Sequence, residues 1–113
     1  MTPYKRGEVI LVPFPFSDQT AAKKRPAVVI SSSRYNAISK DIIIMAVTSK
    51  TDKPFDAGSC VIKEWKKANL LKPSVVKPAV SPIEQTLVLK RLGTLSADDS
   101  NSLDGALKEL FEL

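Results

Sequence analysis

The chain has 113 residues, 43% of them apolar, with a single cysteine and no histidine. That length suits one domain over residues 1–113 with one real core. The residue types leave no intrachain disulfide, no histidine zinc site and no Ser–His–Asp or Cys–His machinery. Net charge is +5 but unevenly spread: residues 1–94 hold 16 basic and 7 acidic side chains, residues 95–113 hold 1 and 5. A basic body suits a polyanionic partner such as nucleic acid, or is simply a solvated lysine-rich surface.

In chain order, MTPYKRGEV lacks the apolar stretch of a secretion signal, and Gly7 reads as a turn before the first strand. EVILVPF (8–14) is rich in β-branched residues and reads as a strand stopped by Pro13 and Pro15. Residues 15–24 form a loop with Asp18 and the Lys23–Lys24 pair, and PAVVIS (26–31) reads as a strand buried on both faces. SSRYNAISK (32–40) has room for one helical turn, and DIIIMAVTS (41–49) is the second buried strand. At six residues, IIIMAV is the longest apolar run, far short of a membrane span, so no membrane partner and a cytoplasmic location are expected.

Residues 50–59 form a polar Pro/Gly loop of a length that more often serves function than connection. CVIKE (60–64) is a short strand and WKKANLLKPS (65–74) a helical turn stopped by Pro73. SVVKPAV (74–80) reads as an edge strand broken by Pro78, and TLVLKRLGTL (86–95) as a further strand. From Ser96 the period changes. Ser96 is placed as N-cap, Asp98 and Asp99 suit the positive end of the helix dipole, and Leu103, Leu107 and Leu110 share a face. Several short strands and one terminal amphipathic helix predict a mainly β fold: a small, partly open barrel with short helices.

KKRPAVVIS (23–31) raises a specific question, because cations run directly into an apolar strand. A residue before proline is pushed into extended geometry, so Arg25 belongs to the strand's start. If strands 26–31 and 41–48 pair antiparallel with Ile30 opposite Ile42 or Ile43, Arg25 falls opposite Val47 or Thr48. A cation and a hydroxyl then emerge side by side at the rim of a rigid strand pair, between two loops. The plainer reading is that Arg25 solvates a strand end and Thr48 caps one.

KRGEVILVPFPFSD, KKRPAVVIS and DIIIMAVTS, in this order and spacing, resemble the MazF/PemK family of toxin endoribonucleases. LLKPSVVK and LVLKRLGTLSADD extend the likeness over nearly the whole chain. The resemblance implies an SH3-like barrel and metal-independent, sequence-specific cleavage of single-stranded mRNA. It implies no cofactor, a homodimer, and a cognate antitoxin with an acidic disordered segment. It implies no DNA binding by this chain alone. Its catalytic arginine and threonine match Arg25 and Thr48, the pair that the register brings together. Lys23, Lys24, Phe16, Asp18, Ser49 and Lys50 are then expected at the RNA. The proton acceptor is left unassigned, with Asp18 and Glu8 near the motif. The chain departs from the family pattern at VKPAVSPIEQT (76–86), where Pro78 and Pro82 replace a more regular strand and turn. Gyrase-poisoning toxins share this barrel but lack the Arg–Thr pair, and a non-catalytic binding module of that kind is the alternative.

Other residues have plainer expectations. Phe14 and Phe16 either stack on bases or enter the core. Packing is favoured for Trp65 and Tyr35, and Cys60 reads as a small buried strand residue.

Overall fold

The computed structural model describes residues 3–14, 23–51 and 57–113, with the backbone alone for Phe14. Phe16 and Asp18 lie outside the described residues. Six strands form one curled sheet: β1 (Glu8–Phe14), β2 (Lys23–Val29), β3 (Asp41–Thr48), β4 (Cys60–Ile62), β5 (Ser74–Glu84) and β6 (Lys90–Thr94). Their order is β4-β5-β3-β2-β1-β6, and every pairing is antiparallel. Among the described residues two α-helices, α1 (Ser33–Ile38) and α2 (Ala97–Phe111), accompany the sheet, and the architecture is mainly β.

The alternation of β-branched residues supplies both faces of the curled sheet. Val9, Val28, Met45, Val47, Cys60, Ile62 and Val76 point one way and meet Leu103, Ala106 and Leu107 of α2. Ile10, Val12, Ala27, Val29, Ile42, Ile44 and Ala46 form the second cluster under Tyr4, Ala79, Ile83 and Val88. Burial on both faces explains the near-continuous apolar runs of β2 and β3. Each fully buried Val or Ile stabilises by roughly 1.5–3 kcal/mol.

α2 starts as its sequence directs. The Ser96 side chain accepts from the Asp99 N–H at 3.1 Å, and Asp98 and Asp99 sit in the first turn. Asp99 is 1% exposed, and its carboxylate accepts the Lys63 and Glu64 N–H groups at 3.0 and 2.9 Å. It therefore ties the turn after β4 to the helix. Arg6 makes a second tie, donating to the Ile30 carbonyl and the Asp104 carboxylate, both at 2.7 Å. Gly7 has φ +94°, the left-handed geometry expected of a turn glycine.

Several boundaries differ from the sequence reading. β2 begins at Lys23, because Lys23 and Lys24 pair with Phe14 and Pro13 of β1. β5 is not broken at Pro78 and runs eleven residues. Pro78 falls in the irregular stretch between the Met45–Val80 and Val47–Val76 pairs, where no ladder N–H is demanded of it. Nor is β5 an edge throughout: β4 covers residues 74–76, and only the later part has one neighbour. β4 ends at Ile62, and residues 63–69 form turns where a helical turn was expected. The last strand is shorter than 86–95, because Gln85–Leu87 is a 3-10 turn. The Gln85 side chain holds it by donating to the Asn36 and Ser39 carbonyls at 2.8 and 2.9 Å. Tyr35, expected to pack, is exposed at 38%, whereas Trp65 does pack against the first cluster.

Candidate nucleic-acid interface

The β2–β3 ladder pairs Ala27 with Ala46, Val28 with Met45 and Val29 with Ile44. The ladder ends at that first pair, two residues short of Arg25 and Thr48, so its offset places both at the same end of the two strands. Arg25 pairs with Val12 of β1. Its backbone is thus held within the sheet, and both Arg25 and Thr48 are half-buried. The Thr48 hydroxyl accepts the Lys50 N–H at 3.2 Å, which fixes the oxygen and leaves its own proton to donate.

Both residues line a cleft of about 800 Å³. Lys23, Lys24 and Ser49, three of the residues expected at the RNA, line it too. Lys50 is not in the lining, and its part is the backbone N–H given to Thr48. The cleft also recruits residues that the sequence reading missed: Asn69, Leu70, Leu71 and Lys72 from the turn before β5, and Lys90 and Leu92 from β6. No short-range motif marks them, because they come from the other end of the chain. The described lining carries five cations (Lys23, Lys24, Arg25, Lys72 and Lys90) and no carboxylate. Leu11, Pro26, Val47, Leu70 and Leu92 give it an apolar floor. A basic rim over an apolar floor accommodates phosphates at the edge and bases within.

Glu8, near the motif in sequence, lies outside the cleft lining. It sits four residues along β1 from the position facing Arg25, about 13 Å away. Its carboxylate is already engaged, accepting from the Arg91 guanidinium at 2.9 Å and the Lys5 N–H at 2.6 Å. Cys60 lies outside the lining and is buried, and that burial, followed by the nearby Asp99 carboxylate, pushes its thiol above the ordinary value. Among the described residues no group of three Cys, Asp or Glu is placed to hold a metal ion. No helix among them is long and apolar enough to cross a membrane.

Solved structures of similar fold span nearly the whole chain. A mycobacterial endoribonuclease, in complex with its cognate antitoxin, matches with TM-score 0.79 at 14% identity, covering 97% of this chain and 96% of that one. MazF from Deinococcus radiodurans matches with TM-score 0.75 at 19% identity, covering 98% of both chains. The Mycobacterium tuberculosis toxin MazF-mt6 matches with TM-score 0.73 at 17% identity, covering 94% of this chain and 97% of that one. At these identities the likeness is one of fold. No curated protein matches the sequence. The family model of the PemK-like, MazF-like toxins of type II toxin–antitoxin systems matches residues 5–111, so the chain belongs to that family.

Proposed function

We propose that this chain, acting as one domain over 1–113, is a sequence-specific endoribonuclease. It cleaves single-stranded mRNA without a metal and so arrests translation. The carrying observation is the cleft in which Arg25 and Thr48 share a rim with four lysines and no described carboxylate. RNA brings its own nucleophile. The 2′-oxygen attacks the adjacent phosphorus, the bond to the 5′-oxygen breaks, and the products are a 2′,3′-cyclic phosphate and a 5′-hydroxyl. Negative charge gathers on the phosphoryl oxygens as this happens. Arg25, with its backbone paired to β1, meets those oxygens through a planar fork of donors. Thr48 adds a neutral donor beside it. A well-placed donor of this kind contributes on the order of 3–4 kcal/mol to the transition state.

A guanidinium stays protonated at neutral pH, so Arg25 stabilises charge and does not take the 2′ proton. That proton passes to water or to a side chain from residues 15–22 such as Asp18. Phe16 and Asp18, with Lys23, Lys24 and Ser49, contact the RNA around the scissile phosphate, and Lys50 acts through the N–H it gives to Thr48.

The proposed partners follow from the same charge pattern. An acidic, disordered antitoxin segment competes with RNA for the basic rim, and two of the similar Deinococcus radiodurans structures are MazE–MazF complexes. The chain acts in the cytoplasm, as a homodimer and without DNA contact of its own. The inner face of α2 is occupied by the core, so the pairing surface is expected at sheet edges and not on that face.

The test is incubation of a long mRNA with the protein in excess chelator, followed by sequencing of fragment 5′ ends. Discrete fragments with 5′-hydroxyl and 2′,3′-cyclic phosphate ends are expected. Intact RNA with an inhibited topoisomerase would instead establish the gyrase-poison alternative, and a divalent-metal requirement would overturn the chemistry.

A further inference from the structure

We propose that Asn69 is a base-reading residue of this cleft, selecting a nucleobase whose Watson–Crick edge sets an exocyclic amine beside an acceptor ring nitrogen: adenine or cytosine. The inference rests on the ribonuclease reading above and names a specificity contact within it. Among the described residues Asn69 is the one carboxamide in the lining, and the other neutral polar side chains there are the hydroxyls of Thr48, Ser49 and Ser74. Ser74 is buried and donates to the Lys72 carbonyl at 2.8 Å, and Thr48 belongs to the phosphate. Only a carboxamide offers a donor and an acceptor at fixed spacing, which is what a base edge presents.

The mounting of Asn69 suits that role. Its φ is +58°, a left-handed conformation that asparagine tolerates better than most residues, and it closes the turn by donating its N–H to the Lys66 carbonyl at 3.0 Å. One Nδ2 hydrogen is committed to the Leu92 carbonyl of β6 at 2.5 Å. That bond orients the amide plane. The second Nδ2 hydrogen and Oδ1 remain, and no donor among the described residues reaches Oδ1. The backbone beneath is equally constrained: a Cβ on Gly93 would stand 2.7 Å from the Ala68 carbonyl oxygen, so this turn lies directly on β6. Leu70 and Leu92 beside the amide give a base an apolar surface to rest on. Oδ1 then accepts from the exocyclic amine while the free Nδ2 hydrogen donates to the neighbouring ring nitrogen. Uracil and guanine present the reverse order on that edge.

The experiment pairs a protein change with an RNA change. Asn69→Gly keeps the positive φ and removes the amide together with its bond to the Leu92 carbonyl. Cleavage-site sequencing of wild type should show a preference for adenine or cytosine at one position. Removing that base's amine in a synthetic RNA should slow wild-type cleavage about tenfold to a hundredfold, and should leave Asn69→Gly unchanged. At the same position Asn69→Gly should accept all four bases, with cleavage elsewhere in the site still selective. The same cleavage sites for wild type and Asn69→Gly would overturn the assignment. So would a wild type indifferent to the amine, a result that needs no foldable variant. Wild type that cleaves no RNA at all would instead overturn the ribonuclease reading.

Discussion

Asp99→Ala is expected to be among the most damaging single changes outside the cleft. The substitution removes both carboxylate acceptors of the Lys63 and Glu64 N–H groups, now at 3.0 and 2.9 Å. Hydrogen bonds to a charged group are each worth roughly 1.5–3 kcal/mol net. Loss of a first-turn carboxylate costs about 0.3–1 kcal/mol more through the helix dipole. Glu64 is only half-buried and Lys63 exposed, so water recovers part of this. The expected loss is about 3 kcal/mol, a sizeable share of the ~5–15 kcal/mol typical of a domain. Asp99→Asn keeps one acceptor and should lose about half as much. Urea unfolding at equal protein concentration reads the change. With a slope of about 1–3 kcal/mol per molar urea, the midpoint should fall by 1 M or more. RNA affinity should fall as well, because the turn that starts at Lys63 carries Asn69 and Leu70 into the cleft. A loss under about 1 kcal/mol with an unchanged slope would show that the carboxylate is not what seats this turn.

Arg25→Ala should lower RNA cleavage by about two to three orders of magnitude and Thr48→Ala by at least about tenfold. Both should keep their unfolding free energy within about 0.5 kcal/mol, because they occupy a rim; an unfolded variant or near wild-type cleavage would refute the assignment. Arg25→Lys should recover little, since a point charge cannot match the fork, and full rescue would argue against bidentate contact. Reversing Lys23 and Lys24 to Glu should weaken RNA and acidic antitoxin binding alike. It should also flatten the salt dependence of RNA binding by about 1.4 in log–log slope if each lysine neutralises one phosphate. Gly93→Ala should cost about 1–3 kcal/mol in urea unfolding, because the new Cβ meets backbone at 2.7 Å and backbone cannot swing aside. Cys60 supplies a pH test. Burial first and Asp99 second raise its thiol above the ordinary 9.0, so the folded state favours the protonated form. The associated stability is complete below that ordinary value and is lost as pH rises through the raised one. Cys60→Ala should therefore lose less stability than wild type between neutral pH and about pH 10, and equal slopes would show that the thiol does not titrate differently on folding.

What the sequence alone determined lies in its short-range patterns. The runs in β2 and β3 mark strands buried on both faces, and Ser96 with Asp98 and Asp99 marks the start of α2. Arg25 before Pro26 marks an extended strand entry, and the antiparallel offset was enough to expect that arginine and Thr48 at one end of the strand pair, where both line the cleft. These features are local, or depend on one pairing joined by a short connection, so propensity and periodicity carry them. Long-range placement decided the rest. Pro78 suggested a break, yet β5 continues because its ladder to β3 is irregular at that point and open on the other side. Glu8 stands near the motif in sequence but points its charge at Arg91, since a strand carries residues four positions apart about 13 Å from each other. Asn69, Lys72 and Lys90 reach the cleft only because the sheet curls and β6 pairs with β1, bringing the chain's second half to the end of its first. No periodicity encodes that meeting; it follows from closing one sheet around one core.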